Sequence, residues 1–266
     1  MHYIKVRREP IGACNICGIS GPLTWDHVPP KGGIELAPVH MKSIFQNLTG
    51  TFEGFKTLES QNGVKYRTIC KPCNEKMGQK YDPVINSFAL SVGRYLKTLL
   101  TLPTVINHTT KPAALIRGLL GHLIAAKVQH DEVIFDKQVA PLVFNESKSI
   151  PDNIHIFYWI FPYDFSCTLR DMAITQLTDP KKAIHFCHVI KYFPIGYLIS
   201  DQPSYEGLDE LTKYKNLKTQ EETAIPIRLK PIRPSNWPEM VDDTRIIFGG
   251  QALSNSIFAT RKPKKC

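Results

Sequence analysis

The chain has 266 residues, of which 42% are hydrophobic and 21% charged, and its formal net charge is +9. This composition excludes a disordered or fibrous protein and predicts one large or two ordinary domains with a substantial hydrophobic core. The first residues form no apolar signal segment and no apolar run approaches the length of a membrane span. We therefore expect a cytoplasmic protein without a membrane partner.

The basic excess is concentrated near the N-terminus, where residues 1–80 contain eleven Lys and Arg against six Asp and Glu. This density favours a polyanionic partner, because each phosphate neutralised by Lys or Arg releases counterions. An ordinary solvated surface is the alternative for each of these side chains. The candidate phosphate contacts are Arg7, Arg8, Lys31, Lys42, Lys65, Arg67, Lys71, Lys76 and Lys80.

Two Cys-x-x-Cys pairs stand in this basic segment, Cys14 with Cys17 and Cys70 with Cys73. Each pair puts two thiolates on one tight turn, and two such turns complete the tetrahedral sulfur shell of a structural zinc ion. The paired spacing argues against four unrelated buried or disulfide-bonded cysteines. The other cysteines are predicted to be free thiols in a reducing compartment: Cys167, Cys187 and Cys266.

An Asp-His pair, Asp26 and His27, lies between the two cysteine pairs, and Asn74 directly follows the last cysteine. Metal-dependent phosphodiester hydrolysis needs a base, a divalent cation and oxygen ligands that hold the cation. Asp26 and the side-chain oxygen of Asn74 are suitable ligands for a hard cation such as magnesium. His27, on the opposite face of an extended strand from Asp26, has an ordinary pKa suited to a general base.

The combined pattern resembles the HNH (ββα-metal, His-Me finger) endonucleases, in particular the branch with a four-cysteine structural zinc. That branch includes phage endonucleases that resolve branched DNA. The resemblance covers residues 10–82, and Val28-Pro29 and Lys31-Gly32-Gly33 also match the family pattern. It implies a β-hairpin and a helix that hold one catalytic metal, while zinc only braces the fold.

By this resemblance His27 would be the general base, and Asp26 and Asn74 would bind catalytic magnesium or manganese. DNA would be the substrate. The family usually has a middle Asn that orients the His, and both Asn47 and Asn62 are candidates for that role. Asn62-Gly63 is also a plain hairpin-turn signal, so the choice between the two stays open.

A non-catalytic zinc ribbon that binds nucleic acid or docks a partner is the alternative for the same segment. In that case Asp26 would cap a loop and His27 would be a packed or DNA-contacting side chain. Asn74 would be the N-cap of a helix.

Two helices are predicted after this segment. Asp82-Pro83 begins the first, whose apolar stripe continues to about Leu102, and residues 110–112 begin the second, which runs to about Gln129. Four charged or titratable residues within or just after these stripes are interpreted as structural or surface: Arg94, Arg117, His122 and His130.

The pattern then changes to short runs rich in β-branched and aromatic residues. Strands are predicted at residues 133–135, 154–161, 165–170, 183–190, 195–199 and 225–229. His185, Cys187 and His188 suggest a second metal site, but the alternation of a strand separates them, so structural packing is favoured. The basic residues 261–265 resemble a nucleic-acid arm or a nuclear-type signal, and a solvated tail explains them equally well.

The predicted fold class is α+β with three parts. Residues 1–82 form an HNH nuclease domain with a four-cysteine zinc site, residues 83–130 a helical connecting segment, and residues 131–266 a mostly antiparallel β-rich accessory domain. The predicted function is metal-dependent hydrolysis of DNA phosphodiester bonds. The nuclease could act as an effector in restriction or phage defence. The expected partner is DNA, and a protein partner or a homo-oligomer remains open.

Overall fold

The computed structural model describes residues 4–34, 36–44, 56–128, 133–176, 184–239, 245–249 and 256–262. Four α-helices lie within these ranges: α1 Lys71–Lys80, α2 Asp82–Lys97, α3 Pro112–Ala125 and α4 Ile134–Val139. Among the described helices, none combines the length and the apolar character needed to cross a membrane.

The described strands are β1 Ile11–Ala13, β2 Ser20–His27, β3 Val39–Ser43, β4 Leu58–Ser60, β5 Lys65–Cys70, β6 Val105–Thr110, β7 His155–Ile160, β8 Phe165–Gln176, β9 His185–Tyr192, β10 Ile195–Ser200, β11 Asp209–Glu210, β12 Thr223–Arg228, β13 Arg245–Gly249 and β14 Ile257–Arg261. Five strands precede α1, β6 lies between α2 and α3, and the other eight described strands follow α4.

The described strands form three sheets, and every strand pair is antiparallel. A small sheet has the order β1-β2-β5, and β6 pairs with β12 in a separate ribbon. The large sheet has the order β11-β7-β10-β9-β8-β14-β3-β4, and β13 also pairs with β8. The structure is therefore mixed α and β with mostly antiparallel sheets, as predicted at the level of fold class.

Strands β3 and β4 place part of the first 82 residues in the large sheet. Val39 on β3 is the register partner of Arg261 on β14, so the candidate nuclease segment is joined to the end of the described chain. One apolar core continues from Tyr66 on β5 through Leu120 on α3 to Ile199 on β10. All three predicted parts of the chain thus contribute to a shared core.

Helices α2 and α3 follow the predicted apolar stripes. The apolar face of α2 is buried at Ile85, Phe88 and Val92, because residues three and four apart share one side of a helix. Helix α2 ends at Lys97, before the predicted end near Leu102. Every residue of α3 is buried, which places this helix in the interior of the fold.

The strand predicted at residues 133–135 is wrong, because Ile134 and Phe135 begin helix α4. Packing explains the difference: the Phe135 ring lies 5.3 Å from the Phe186 ring and 4.3 Å from the His188 ring, between centroids. Tertiary contacts of this kind override the β preference of a short β-branched and aromatic run.

Candidate functional site

The four predicted zinc ligands come together in the described structure. Cys14 and Cys17 lie on the turn between β1 and β2, while Cys70 ends β5 and Cys73 lies in the first turn of α1. All four sulfur atoms lie within 4.8 Å of one another. The cluster is therefore positioned to hold a metal ion, and its four sulfur donors fit structural zinc.

Hydrogen bonds favour the thiolate form of Cys14, whereas the hydrogen bond to Cys14 raises the pKa of Cys73 and burial raises the pKa of Cys70. A hydrogen bond from Cys73, assisted by backbone amides, lowers the pKa of Cys14 to about 4 against the opposing effect of burial. The Cys70 backbone N–H donates to the Cys14 sulfur at 3.3 Å. Such donors stabilise a thiolate, which is the ligating form of cysteine.

Strand β2 carries the Asp-His pair with its two side chains on opposite faces, as predicted for an extended strand. Asp26 is buried and faces the helices, whereas His27 is only partly buried. The neighbouring strand β5 places Tyr66 opposite Asp26 and Lys65 opposite His27. Thus one face of this strand pair is buried and the other is open and basic.

His27 is held by the turn that precedes β5. Its Nε2 lies 3.1 Å from the backbone carbonyl oxygen of Asn62. A carbonyl only accepts hydrogen bonds, so Nε2 carries the proton and the lone pair of the neutral ring is on Nδ1. The backbone of Asn62, one of the two Asn candidates, therefore contacts His27, whereas Asn47 lies outside the described residues.

Burial lowers the pKa of His27, and the charges of Lys65 and Lys31 lower it further, while Asp26 opposes the shift. The imidazole is consequently neutral near pH 7. Its surroundings are nevertheless electropositive, because Lys31 and Lys65 both lie close enough to affect it. A neutral base beside two cations is suited to a reaction at an anionic group.

Asn74 lies in α1 and joins this helix to β2. Its Nδ2 donates to the Trp25 carbonyl oxygen at 2.8 Å and to Thr24 Oγ1 at 3.1 Å. The amide group therefore lies against the peptide that links Trp25 to Asp26. Because both bonds use Nδ2, Oδ1 is the atom with which Asn74 would bind a cation.

The predicted cation ligand Asp26 has a partner that the sequence did not indicate. His122, from the buried helix α3, places Nδ1 3.1 Å from Asp26 Oδ2 and Nε2 2.9 Å from Asp82 Oδ1. Burial lowers the pKa of His122, but the two carboxylates outweigh it and raise the pKa to about 10. The ring is thus an imidazolium that donates to both carboxylates.

Sequence reasoning placed His122 among structural or surface residues and Asp82 at a helix start. Asp82 does begin α2, but its carboxylate bonds His122. The only sign of this role in the sequence is a single His within an apolar helical stripe. Its partners Asp26 and Asp82 are 96 and 40 residues away in the chain, so no local pattern identifies them. His122 is hence a buried ionic link between the candidate site and two helices.

Several predicted phosphate contacts have structural roles. The Arg8 guanidinium donates to the Thr68 carbonyl oxygen at 2.7 Å and also to that of Ala13. Lys80 forms an ion pair with Glu146, and Lys71 pairs with Glu75 at 3.6 Å. Lys31 and Lys65, by contrast, lie close to His27.

The histidines of β9 do not form a second metal site. His185 Nδ1 lies 3.2 Å from Asp201 Oδ1, and His188 Nδ1 accepts the Asp171 backbone N–H at 3.0 Å. Among the described residues, only the four cysteines form a group of three or more His, Cys, Asp or Glu side chains close enough to bind one ion.

Comparison of this chain with family models, with curated proteins and with solved structures finds no match. The site must therefore be interpreted from its own geometry and from the motifs in its sequence.

Proposed function

We propose that this chain is a metal-dependent endonuclease of the HNH type that hydrolyses phosphodiester bonds of DNA. The observation that carries the proposal is the arrangement around the paired strands β2 and β5 and helix α1. Strand β2 supplies Asp26 and His27, and α1, which directly follows β5, supplies Asn74 beside the four-cysteine cluster. The choice of DNA follows the family resemblance.

His27 would act as the general base. The Asn62 carbonyl fixes the ring through Nε2–H, so Nδ1 is left to accept a proton from the attacking water. The partly buried, neutral ring is already in the form that accepts a proton. Asn62 would act as a positioning residue through its backbone oxygen.

Two oxygen donors of the proposed site, on Asp26 and Asn74, would suit a hard divalent cation. Asp26 offers a carboxylate with Oδ1 remaining after its bond to His122, and Asn74 offers Oδ1. Magnesium in enzymes commonly has one or two such protein ligands, with water and substrate phosphate completing its shell. When bound, magnesium or manganese would neutralise charge that develops on the phosphate. The imidazolium of His122 would hold the Asp26 carboxylate in a fixed orientation.

An effector role in restriction or phage defence belongs to the same proposal and rests on the family resemblance alone. The large sheet would then bind a partner or a ligand. In that form of the proposal, the purified chain alone would have low activity.

Cleavage of supercoiled plasmid tests the function. Wild-type, His27→Ala and His185→Ala proteins would be incubated with magnesium, with manganese or with EDTA, and zinc content would be measured in parallel. His185 is a suitable control because it is a partly exposed histidine on β9, paired with Asp201.

We expect metal-dependent nicking or linearisation by the wild type and by His185→Ala. His27→Ala should lower the rate by about 10²–10⁴-fold with zinc unchanged, the usual effect of losing a general base. Equal cleavage by His27→Ala would contradict the mechanism. Zinc-bound protein that binds DNA without cleaving it would support the zinc-ribbon alternative.

A further inference from the structure

Trp25 is an exposed aromatic residue beside the candidate catalytic pair. It is 37% exposed, whereas Trp159 and Trp237 are each 7% exposed and pack against one another in the core. An indole left partly in water on a β-strand contributes little to a core. Its position directly before Asp26 therefore calls for another role.

Two cations of β5 accompany the Trp25 ring. Arg67 is the register partner of Trp25, with its Cζ 5.5 Å from the ring centroid, and the Lys65 Nζ lies 5.3 Å from the same centroid. The Arg8 carbonyl oxygen accepts from Arg67 Nη2 at 2.7 Å, which fixes the guanidinium in place. The ring thus lies in a basic setting that would attract a phosphate chain.

A cleft of about 450 Å³ opens beside Trp25, which we name the Trp25 cleft. Its walls are mainly apolar side chains of the N-terminal segment and of β3 and β4, and its basic lining comes from Lys5, Arg7 and Lys65. Glu59, the one acidic residue of the lining, forms an ion pair with Lys262 at 2.8 Å. The volume lies in the usual range for small-ligand sites.

Trp25 and His27 are two residues apart on β2, so they share a face and their Cα atoms are separated by about 7 Å. A base stacked on Trp25 would therefore belong to a nucleotide adjacent to the phosphodiester near His27. Stacking needs a free face of the base, and a paired base in a duplex offers only its edges.

We propose that the Trp25 cleft binds an unpaired nucleobase of the substrate strand, next to the phosphodiester that would be attacked by the water that His27 deprotonates. The aromatic ring would stack on the base, and Lys65, Arg67 and Arg7 would contact the flanking phosphates. The position of the attacked bond rests on the proposed nuclease function, whereas the binding of a single strand does not. The substrate class is accordingly DNA with at least one unpaired nucleotide at the cleavage site.

Tryptophan fluorescence tests this binding without cleavage. The protein would be titrated, with no divalent metal added, with a 15-nucleotide single strand and with the same sequence as a blunt duplex. Since the other two tryptophans are buried, quenching reports on Trp25. We expect quenching by the single strand and little by the duplex.

Affinity would be measured by anisotropy of the labelled single strand for three variants. Trp25→Leu should weaken binding by about 5- to 150-fold, the range for one lost base–aromatic stack. Trp25→Phe keeps a stacking ring and should stay within a few-fold of the wild type. Leu100→Ala, which alters another exposed apolar side chain, should have no effect, and zinc content and thermal melting would verify that each variant is folded.

The outcome separates the two proposals. If folded Trp25→Leu bound the single strand as tightly as the wild type, or if the duplex quenched the fluorescence equally, the proposal that the Trp25 cleft binds an unpaired base would be wrong. If plasmid cleavage still depended on His27 in that case, the nuclease would stand. Conversely, the protein could bind the single strand through Trp25 and yet cleave no DNA. That result would support base binding in the cleft and contradict the proposed nuclease function.

Discussion

His122 and His188 are about equally buried, at 1% and 2% exposure, yet their surroundings give them opposite charge states. Asp26 and Asp82 raise the pKa of His122 to about 10 despite its burial. Burial, reinforced by the positive charge of Arg170, lowers the pKa of His188 to about 3. Neighbouring charge therefore decides the ionisation of a buried histidine where burial alone would keep it neutral.

Replacing His122 with Phe should strongly destabilise the protein. A ring of similar size would remain, but the carboxylate of Asp26, with 5% of its side chain exposed, would lose its cationic partner. Removing one partner of a buried ion pair costs about 3–5 kcal/mol in the free energy of unfolding, which urea denaturation measures.

His185→Phe is the control for this substitution, because the His185–Asp201 pair has side chains that are 29% and 31% exposed. Partly exposed pairs contribute about 0–1 kcal/mol. A loss below about 1 kcal/mol for His122→Phe as well would show that Asp26 does not depend on the imidazolium.

At the scale of elements, the sequence correctly predicted the helices whose formation depends on local periodicity. The 3.6-residue repeat of α2 and α3 and the prolines in their first turns are local signals, and both helices are present. Strand β6 was missed because it is stabilised by β12, which lies more than a hundred residues further along the chain. The wrong strand at residues 133–135 has the same origin, because its conformation depends on packing against β9.

Two glycines in the helices predict opposite effects of the same substitution. A Cβ on Gly118 of α3 would lie 2.8 Å from Ile85 Cδ1 and 2.9 Å from Tyr81 Cβ. A Cβ on Gly93 of α2 would lie 3.6 Å from its nearest neighbours, Phe193 Cε1 and Pro194 Cγ. Gly118→Ala should therefore destabilise by about 1–3 kcal/mol through overpacking.

Gly93→Ala should instead stabilise by about 0.5–1 kcal/mol, because alanine restricts the unfolded chain and favours the helix. Urea unfolding of both variants measures the two effects. Equal destabilisation by both substitutions would show that Gly93 is as tightly packed as Gly118.

At the scale of the whole molecule, the candidate site extends beyond the segment that its motifs occupy. Asn15, between the first two cysteines, donates to the carbonyl oxygens of Ile124 at 2.9 Å and Lys127 at 2.7 Å, at the end of α3. The cysteine spacing and the Asp-His pair are local and could be recognised in the sequence. The contacts with α3 depend on the tertiary fold, so no local pattern could predict them.

Removal of zinc should consequently loosen α3 as well as the N-terminal strands. Structural zinc adds about 10–16 kcal/mol in isolated zinc-finger peptides, so we expect the thermal midpoint to fall by at least about 10 °C after chelation. Hydrogen exchange should show lost protection near Ile124, and added zinc should restore it.

Cys167→Ser, which changes a buried cysteine outside the cluster, should bind zinc as the wild type does. Unchanged protection of the end of α3 after chelation would contradict the link through Asn15.

The place of β14 between β3 and β8 has a consequence for synthesis of the chain. Until the ribosome has made Ile257–Arg261, β3 lacks its partner on that side, and the segment that carries Asp26 and His27 cannot dock fully on the sheet. Such long-range pairing delays folding until the distant strand is available. A nascent chain would thus contain all the proposed catalytic residues before the strand that completes the pairing of β3 has been made.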